Sequence, residues 1–473
     1  MMSRRLSRLA AAALALPLIA AGGHAIAEEA DAPAPGAAGI GDPYWPLDGN
    51  GGIDVSSYRI ANTYDLRRMA LRGRTSLTLR ATADLTSFNL DFLLRVSKVR
   101  VDGAPADFDQ TRHELTITPA VALAAGTSHT VKVTYAGRPN SKRYAGEENW
   151  LADRREVVTM NEPHMAPWWF PANDHPSDKA TFDVQTTVAK GREVIGNGKL
   201  VGKKERKRTT TWRWRAAEPM APYLAFFAAG DFTIRQGRNN GLPWINAVSQ
   251  RLPASAHDAA LRLMRKTPRV TRRLSRDLGP YPFSVTGGLT TGLPVYFALE
   301  NQTRPTYPAV GPNAVSLVVH EIAHQWFGDD VAVARWRDIW LNEGAATFME
   351  WRYAEQYGGQ SAARTLQSVY DSIGAGADFW KLRIADPGAD DIFDHAVYDR
   401  GGMTLQALRN RIGDEKFWLL IRTWLETKAG GNATSEEFEA LAAQVSGQDL
   451  TSFFTAWLRT PTKPAKTADN GLA

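Results

Sequence analysis

The sequence predicts an α+β fold in two parts. An antiparallel β-domain is expected over residues 43–235 and a mainly helical domain over 236–460. From about Tyr44 to Phe232 apolar residues recur at every second position, and after about Arg235 they recur at helical spacing. A chain of 473 residues is also too long for one ordinary core. Its 44% hydrophobic and 22% charged residues supply enough apolar surface to bury two.

The N-terminus has its own pattern. A basic start, MMSRRLSR, precedes an apolar run from Leu9 to Ala21 that is short for a membrane span and interrupted by Pro17. Ala25, Ile26 and Ala27 offer small residues for cleavage. Residues 1–27 therefore read as a signal peptide cut after Ala27, which implies a secreted or periplasmic protein. Its removal takes Arg4, Arg5 and Arg8, so the net charge of +6 becomes 6 − 3 = +3. That is too mild to suggest nucleic acid as a partner. No later window approaches eighteen apolar residues, so no stable membrane span is expected after cleavage. The Ala-, Pro- and Gly-rich residues 28–42 read as a flexible linker.

Within the β-domain, SLTLRA, VRVDG, VKVTYAG and TFDVQTTV alternate apolar and polar residues and end at turn residues. GKKERKRTTTWRWR, Gly202 to Arg215, is basic and aromatic, yet alternation explains it. Lys203 to Arg208 form a solvated hairpin turn, Trp212 and Trp214 face inward, and Arg213 and Arg215 face water. In the second domain, AHDAALRLMRKTPRVTRRLSRDLG has helical spacing interrupted by Pro268. Helical character then continues to about Leu458, and the polar residues 461–473 read as a disordered tail.

The chain has no cysteine, so any metal must be held by His, Asp or Glu. Only nine histidines are present, and two of them, His320 and His324, stand four residues apart in the largely apolar stretch AVSLVVHEIAHQWFG. On a helix both imidazoles share one stripe. Two buried imidazoles side by side need a common partner, and a zinc ion supplies one. Glu321 lies between them, placed to reach a water on the metal without ligating it. Glu343, 19 residues after His324, interrupts the otherwise apolar run RWRDIWLNEGAATFMEW. A returning helix would bring it to the pair as third ligand and leave the fourth position open. Asp338 is a candidate partner for the histidines or a helix cap. His113, His129, His164, His175, His257 and His395 lack comparable spacing and read as surface or turn residues.

HEIAHQW followed by WLNEG resembles the gluzincin aminopeptidases of peptidase family M1, the family of alanyl aminopeptidase and leukotriene-A4 hydrolase. PYWPLDGNGGIDVSSYRI, FNLDFLL and PYLAFFAAGDF resemble its N-terminal β-domain, and GPYPF through FFTAWLRTP its catalytic domain. The resemblance implies a short two-domain type with a thermolysin-like catalytic domain. It also implies one Zn2+ per chain and peptides with a free N-terminus as substrates. FALEN, Phe297 to Asn301, matches the family's exopeptidase motif and gives Glu300 the role of gripping the substrate's α-amine. TMNEP gives Glu162 the same role from the β-domain, and AVYDRGG places Tyr398 as oxyanion stabiliser. Phe297 replaces a customary glycine, Leu299 a Met and Ala345 a Phe. The expected activity is removal of the N-terminal residue by zinc-activated water with Glu321 as general base. The rivals are a thermolysin-like endopeptidase, which would share the zinc ligands, and a non-catalytic zinc-binding envelope protein.

Overall fold

The structure, a computed structural model, describes residues 32–472, and the chain from Pro33 onward forms one compact unit. The expected signal segment and the first residues of the linker lie outside the described residues. The β-domain is built on an eight-stranded sheet. Its order is Lys199–Glu205, Thr209–Met220, Ala180–Ala189, Ile53–Asp65, Ala70–Ala81, Ser128–Gly137, Arg95–Val101 and Ala104–Pro105. All neighbours are antiparallel except Ala180–Ala189, which runs parallel to Ile53–Asp65. Alternation places Val55, Ile60, Leu71, Leu77 and Leu79 in the core. Trp212 and Trp214 are buried as the pattern implied, while Arg213 and Arg215 fork onto Asp183.

Two smaller sheets complete this half. One pairs Ala34–Pro35, Leu85–Asp91, Glu114–Thr118 and Asp107–Gln110 in that order. The linker expectation for residues 28–42 therefore fails from Pro33 onward. Ala34–Pro35 add to a sheet edge, and Asp42 is buried, accepting from the Trp336 amide at 3.0 Å. His113, His164 and His175 are buried as well, contrary to a surface role, because carboxylates surround them: Asp48, Asp91 and Glu114 at His113, Asp48 and Glu147 at His164, and Asp42 at His175.

The second half begins earlier than residue 236 and with strands. Phe232–Asn239 and Leu242–Ser249 form a hairpin that carries Thr286–Thr290 and Thr306–Tyr307 in one four-stranded sheet. Helices follow: α1 (Ala254–Met264), α2 (Thr267–Leu278), α3 (Val315–Ala323), α4 (Trp340–Gln356), α5 (Ala362–Ser372), α6 (His395–Ile412), α7 (Asp414–Thr427) and α8 (Ser435–Ser446). Pro268 sits in the first turn of α2, where its missing N–H costs nothing. The tail is also ordered. Tyr370 donates to the Pro464 carbonyl at 2.5 Å, Lys463 donates to the carbonyls of Tyr370 and Ile373, and Leu472 is buried. Polar composition suggested disorder, but these side chains find buried carbonyls to bind.

Buried cations lock the halves together. The Arg304 guanidinium donates to the carbonyls of Ile245 and Gly198 at 2.7 and 2.9 Å. Lys179 donates to the carbonyls of Asp329 and Asp330, directly after the α3 segment. Within the second half, Arg400 on α6 donates to four carbonyls, of Trp380, Leu382, Ala456 and Thr460.

Helices α4 and α6 cross backbone against backbone. A methyl group on Gly401 would stand 2.7 Å from the Gly344 Cα, and a methyl on Gly344 the same distance from the Gly401 Cα. Neither backbone can retreat, because the neighbouring turns are buried. Gly401→Ala is expected to lower the unfolding free energy by about 1–3 kcal/mol, read from urea melts. A variant of parental stability would show that the two backbones are not held in contact.

Candidate metal centre

Helices α3 and α4 bring three side chains together. His320 lies in α3, His324 closes its last turn in helical conformation, and Glu343 stands in the first turn of α4. The Nε2 atoms of His320 and His324 lie 3.2 and 3.4 Å from one oxygen, Glu343 Oε2. Two donors held about 2.0–2.2 Å from one tetrahedral ion stand about 3.3–3.6 Å apart, so the trio has near-ligand spacing. The outward ring nitrogens are engaged elsewhere. His320 Nδ1 is 2.8 Å from Glu350 Oε1, and His324 Nδ1 is 3.0 Å from the Phe327 carbonyl. A carbonyl only accepts, so Nδ1 of His324 carries a proton and Nε2 is the nitrogen presented to Glu343. The Glu350 carboxylate holds the His320 ring in the same orientation, with Nε2 inward. One carboxylate and two imidazoles form a donor set that suits zinc.

The electrostatics follow from burial and from these contacts. Burial disfavours a charged imidazole, yet Glu343 and Glu350 outweigh it and hold His320 well above the ordinary range. Burial is likewise outweighed at His324, which Glu343 raises to about 9. Burial raises carboxyls, but His324 and His320 pull Glu343 down to about 2. Glu321 behaves differently: burial pushes it up to about 8 against the pull of both histidines. Its carboxyl is thus poised between protonation states near neutral pH.

A cleft of about 810 Å3 opens over the centre. All seven residues singled out from the sequence line it: His320, Glu321, His324, Glu343, Glu162, Glu300 and Tyr398. Glu300 Oε1 accepts from the Tyr223 hydroxyl at 3.1 Å, and its backbone carbonyl accepts from Gln325 at 2.8 Å. Glu162 Oε1 is buried without a hydrogen-bond partner. Burial and the neighbouring Glu300 push the Glu162 carboxyl well above its ordinary range. Two neighbouring carboxyls are a charge arrangement that an ammonium group could satisfy. The Tyr398 ring lies 5.9 Å from that of His320 and nearly parallel to it. Burial, then Glu343, Glu162 and other carboxylates, hold its phenol well above the usual range, so it serves as a donor.

Several lining groups were not read from the sequence. Glu350 stands two helical turns after Glu343 on α4, a spacing that marks the same face. Tyr223 and Gln325 hold Glu300 through contacts distant in sequence. His395 is exposed, as the surface reading expected, and also lines the cleft one turn before Tyr398. Asp338 does not touch the histidines. It pairs with Arg335 and accepts from the backbone and hydroxyl of Ser435, at the start of α8. Residues 296–300 form a loop with one bridge, Leu299 to Thr306, and Phe297 and the fully open Tyr296 stand at the cleft.

Comparison with known proteins agrees with this architecture. The Peptidase M1 N-terminal domain model matches residues 55–224 and the Peptidase family M1 domain model matches residues 287–457. The chain belongs to peptidase family M1. It is 23% identical to the leucyl aminopeptidase of Saccharolobus solfataricus, over 87% of this chain and 54% of that protein. It is 26% identical to an aminopeptidase N of Lactococcus lactis, over 72% of this chain and 43% of that one. The chain thus spans about half the length of these relatives. A solved mutant M1 zinc metallopeptidase from Deinococcus radiodurans, bound to a Tyr-Ser-Ala substrate, is 28% identical with a TM-score of 0.81. That match covers 91% of this chain and 100% of the other.

Glu350→Gln is expected to weaken zinc binding by about 10- to 100-fold, measured by competition with a chromophoric chelator. Parental affinity would show that Glu350 does not orient His320.

Proposed function

We propose that this chain is a zinc-dependent aminopeptidase that removes the N-terminal residue from peptides after export by its first 27 residues. The observation that carries the reading is one cleft holding both the His320–His324–Glu343 trio and the carboxyls of Glu300 and Glu162, the latter with Oε1 unpartnered. His320, His324 and Glu343 would hold the zinc, which when bound polarises a carbonyl and lowers the pKa of water toward about 7. Glu162 and Glu300 bind the substrate's ammonium group and thereby fix which peptide bond reaches the centre. Glu321 takes the proton from the attacking water and delivers it to the departing amine. Tyr398 donates a hydrogen bond to the oxygen that gains charge as the carbonyl becomes tetrahedral. Glu350 and the Phe327 carbonyl hold the imidazoles in place.

No helix among the described residues is long and apolar enough to cross a membrane. Action in the periplasm or medium rests on the N-terminal sequence alone. It is tested by locating the protein in cell fractions and sequencing its mature N-terminus, where Glu28 is the expected first residue.

Glu321→Gln is expected to keep its zinc and lose about 10²- to 10⁴-fold in kcat on aminoacyl-anilides. Turnover at the parental rate would reassign the base. Acetylation of a peptide's N-terminus is expected to lower kcat/KM by about 10⁴-fold, since it removes the charge that Glu162 and Glu300 receive. Equal cleavage of both peptides would favour an endopeptidase.

A further inference from the structure

The ligand spacing of the catalytic trio recurs at one other place among the described residues, far from it in sequence. Asp91, His113 and Glu114 each offer one donor atom, and the three atoms lie within 4.8 Å of one another. Strand Leu85–Asp91 pairs antiparallel with Glu114–Thr118, in a register that sets Asp91 directly opposite Glu114. Like charges directly opposite on a sheet repel, and here both are buried. His113 precedes Glu114 and turns Nδ1 toward both: 3.3 Å to Glu114 Oε1 and 3.6 Å to Asp91 Oδ1. Donors sharing one tetrahedral ion stand about 3.3–3.6 Å apart.

The remaining contacts leave the inner atoms free. Asp91 Oδ2 is saturated, accepting from the Gly49 amide, Asn50 Nδ2 and the Asp174 amide. Asp91 Oδ1 and Glu114 Oε2 are buried without a hydrogen-bond partner. Asp48, Asp174 and Glu147 add further carboxylates around the cluster. Among the described residues no lysine or arginine forms an ion pair with any of the five acids; their only partners of that kind are His113 and His164. Tyr144 stacks on the His113 ring at 3.7 Å and donates to Asp48 at 2.6 Å, which fixes the imidazole's orientation. A cavity of about 480 Å3 reaches His113 and Glu114 past Leu47, Arg112 and Tyr144 and supplies a path of entry.

We infer that Asp91, His113 and Glu114 bind a second divalent transition-metal ion, in the β-domain, with His113 Nδ1 and one oxygen from each carboxylate as ligands. Two carboxylates and one imidazole suit zinc or manganese. The ion neutralises the facing carboxylates and ties strand Leu85–Asp91 to strand Glu114–Thr118, so its role is structural and separate from the peptidase centre.

Metal content settles it. The full chain, stripped with a chelator and dialysed against Zn2+ or, separately, Mn2+, is analysed by plasma mass spectrometry beside Glu114→Gln, His113→Asn and Glu343→Gln. With at least one of the two metals, two equivalents per parental chain are expected. Glu114→Gln and His113→Asn should hold one and retain peptidase activity, while Glu343→Gln should hold one that Glu114→Gln added to it removes. One equivalent in the parental chain with both metals, lost in Glu343→Gln, would overturn the second site and leave the catalytic reading standing. Thermal melts add an independent reading. The metal is expected to raise the Tm of Glu343→Gln and not that of the double variant, and equal responses would count against the site.

Discussion

The contact between Gly344 and Gly401 is the constraint on which the active region depends. Glu343 precedes the first glycine and Tyr398 lies one turn before the second. The distance at which α4 and α6 cross therefore sets how the Glu343 carboxylate and the Tyr398 phenol face the same space. Side chains at the crossing would separate the helices by the width of a methyl group or more, and interiors packed at crystal density have no slack to absorb that. Arg400, between Tyr398 and Gly401, binds four carbonyls and anchors α6 from the opposite side.

Around that crossing the protein buries far more acid than base. Glu162, Glu300, Glu321, Glu343 and Asp329 are all held where burial opposes ionisation. Only Glu343, between two imidazoles, lies below the ordinary carboxylate range among them. Such an arrangement is costly by itself and becomes favourable when positive charge is brought to it. Stability has been traded for two places in one cleft where positive charge is favoured. The β-domain shows the same imbalance around Asp91 and Glu114, created there by sheet register.

Local patterns read well where one residue period decided the outcome. Alternation located the strands and the inward face of Trp212 and Trp214. The i, i+4 histidines and the polar interruption at Glu343 pointed to three side chains that the fold brings together. Glu300, Glu162 and Tyr398 came from family resemblance, since nothing in their local spacing points to a cleft. The hairpin Phe232–Ser249 was missed because its strands are partly exposed and their burial does not alternate. His113, His164 and His175 were missed because most of the carboxylates around them come from other strands and loops. The ordered tail and the packed residues 33–42 were missed for a related reason: composition reports what a segment prefers alone, and backbone groups elsewhere in the fold offered it bonds.

The sequence by itself determined which groups can act, namely two imidazoles on one helical stripe, a carboxylate between them, and another at the start of the next helix. It did so because helical period and side-chain chemistry are local properties. Only the tertiary structure decided that Glu162, Glu300 and Tyr398, from three distant segments, share their cleft, and that Asp91 faces Glu114 across a sheet. Those meetings depend on strand register and helix crossing distance, which arise from packing summed over the whole chain and leave no periodic trace in any one stretch of it.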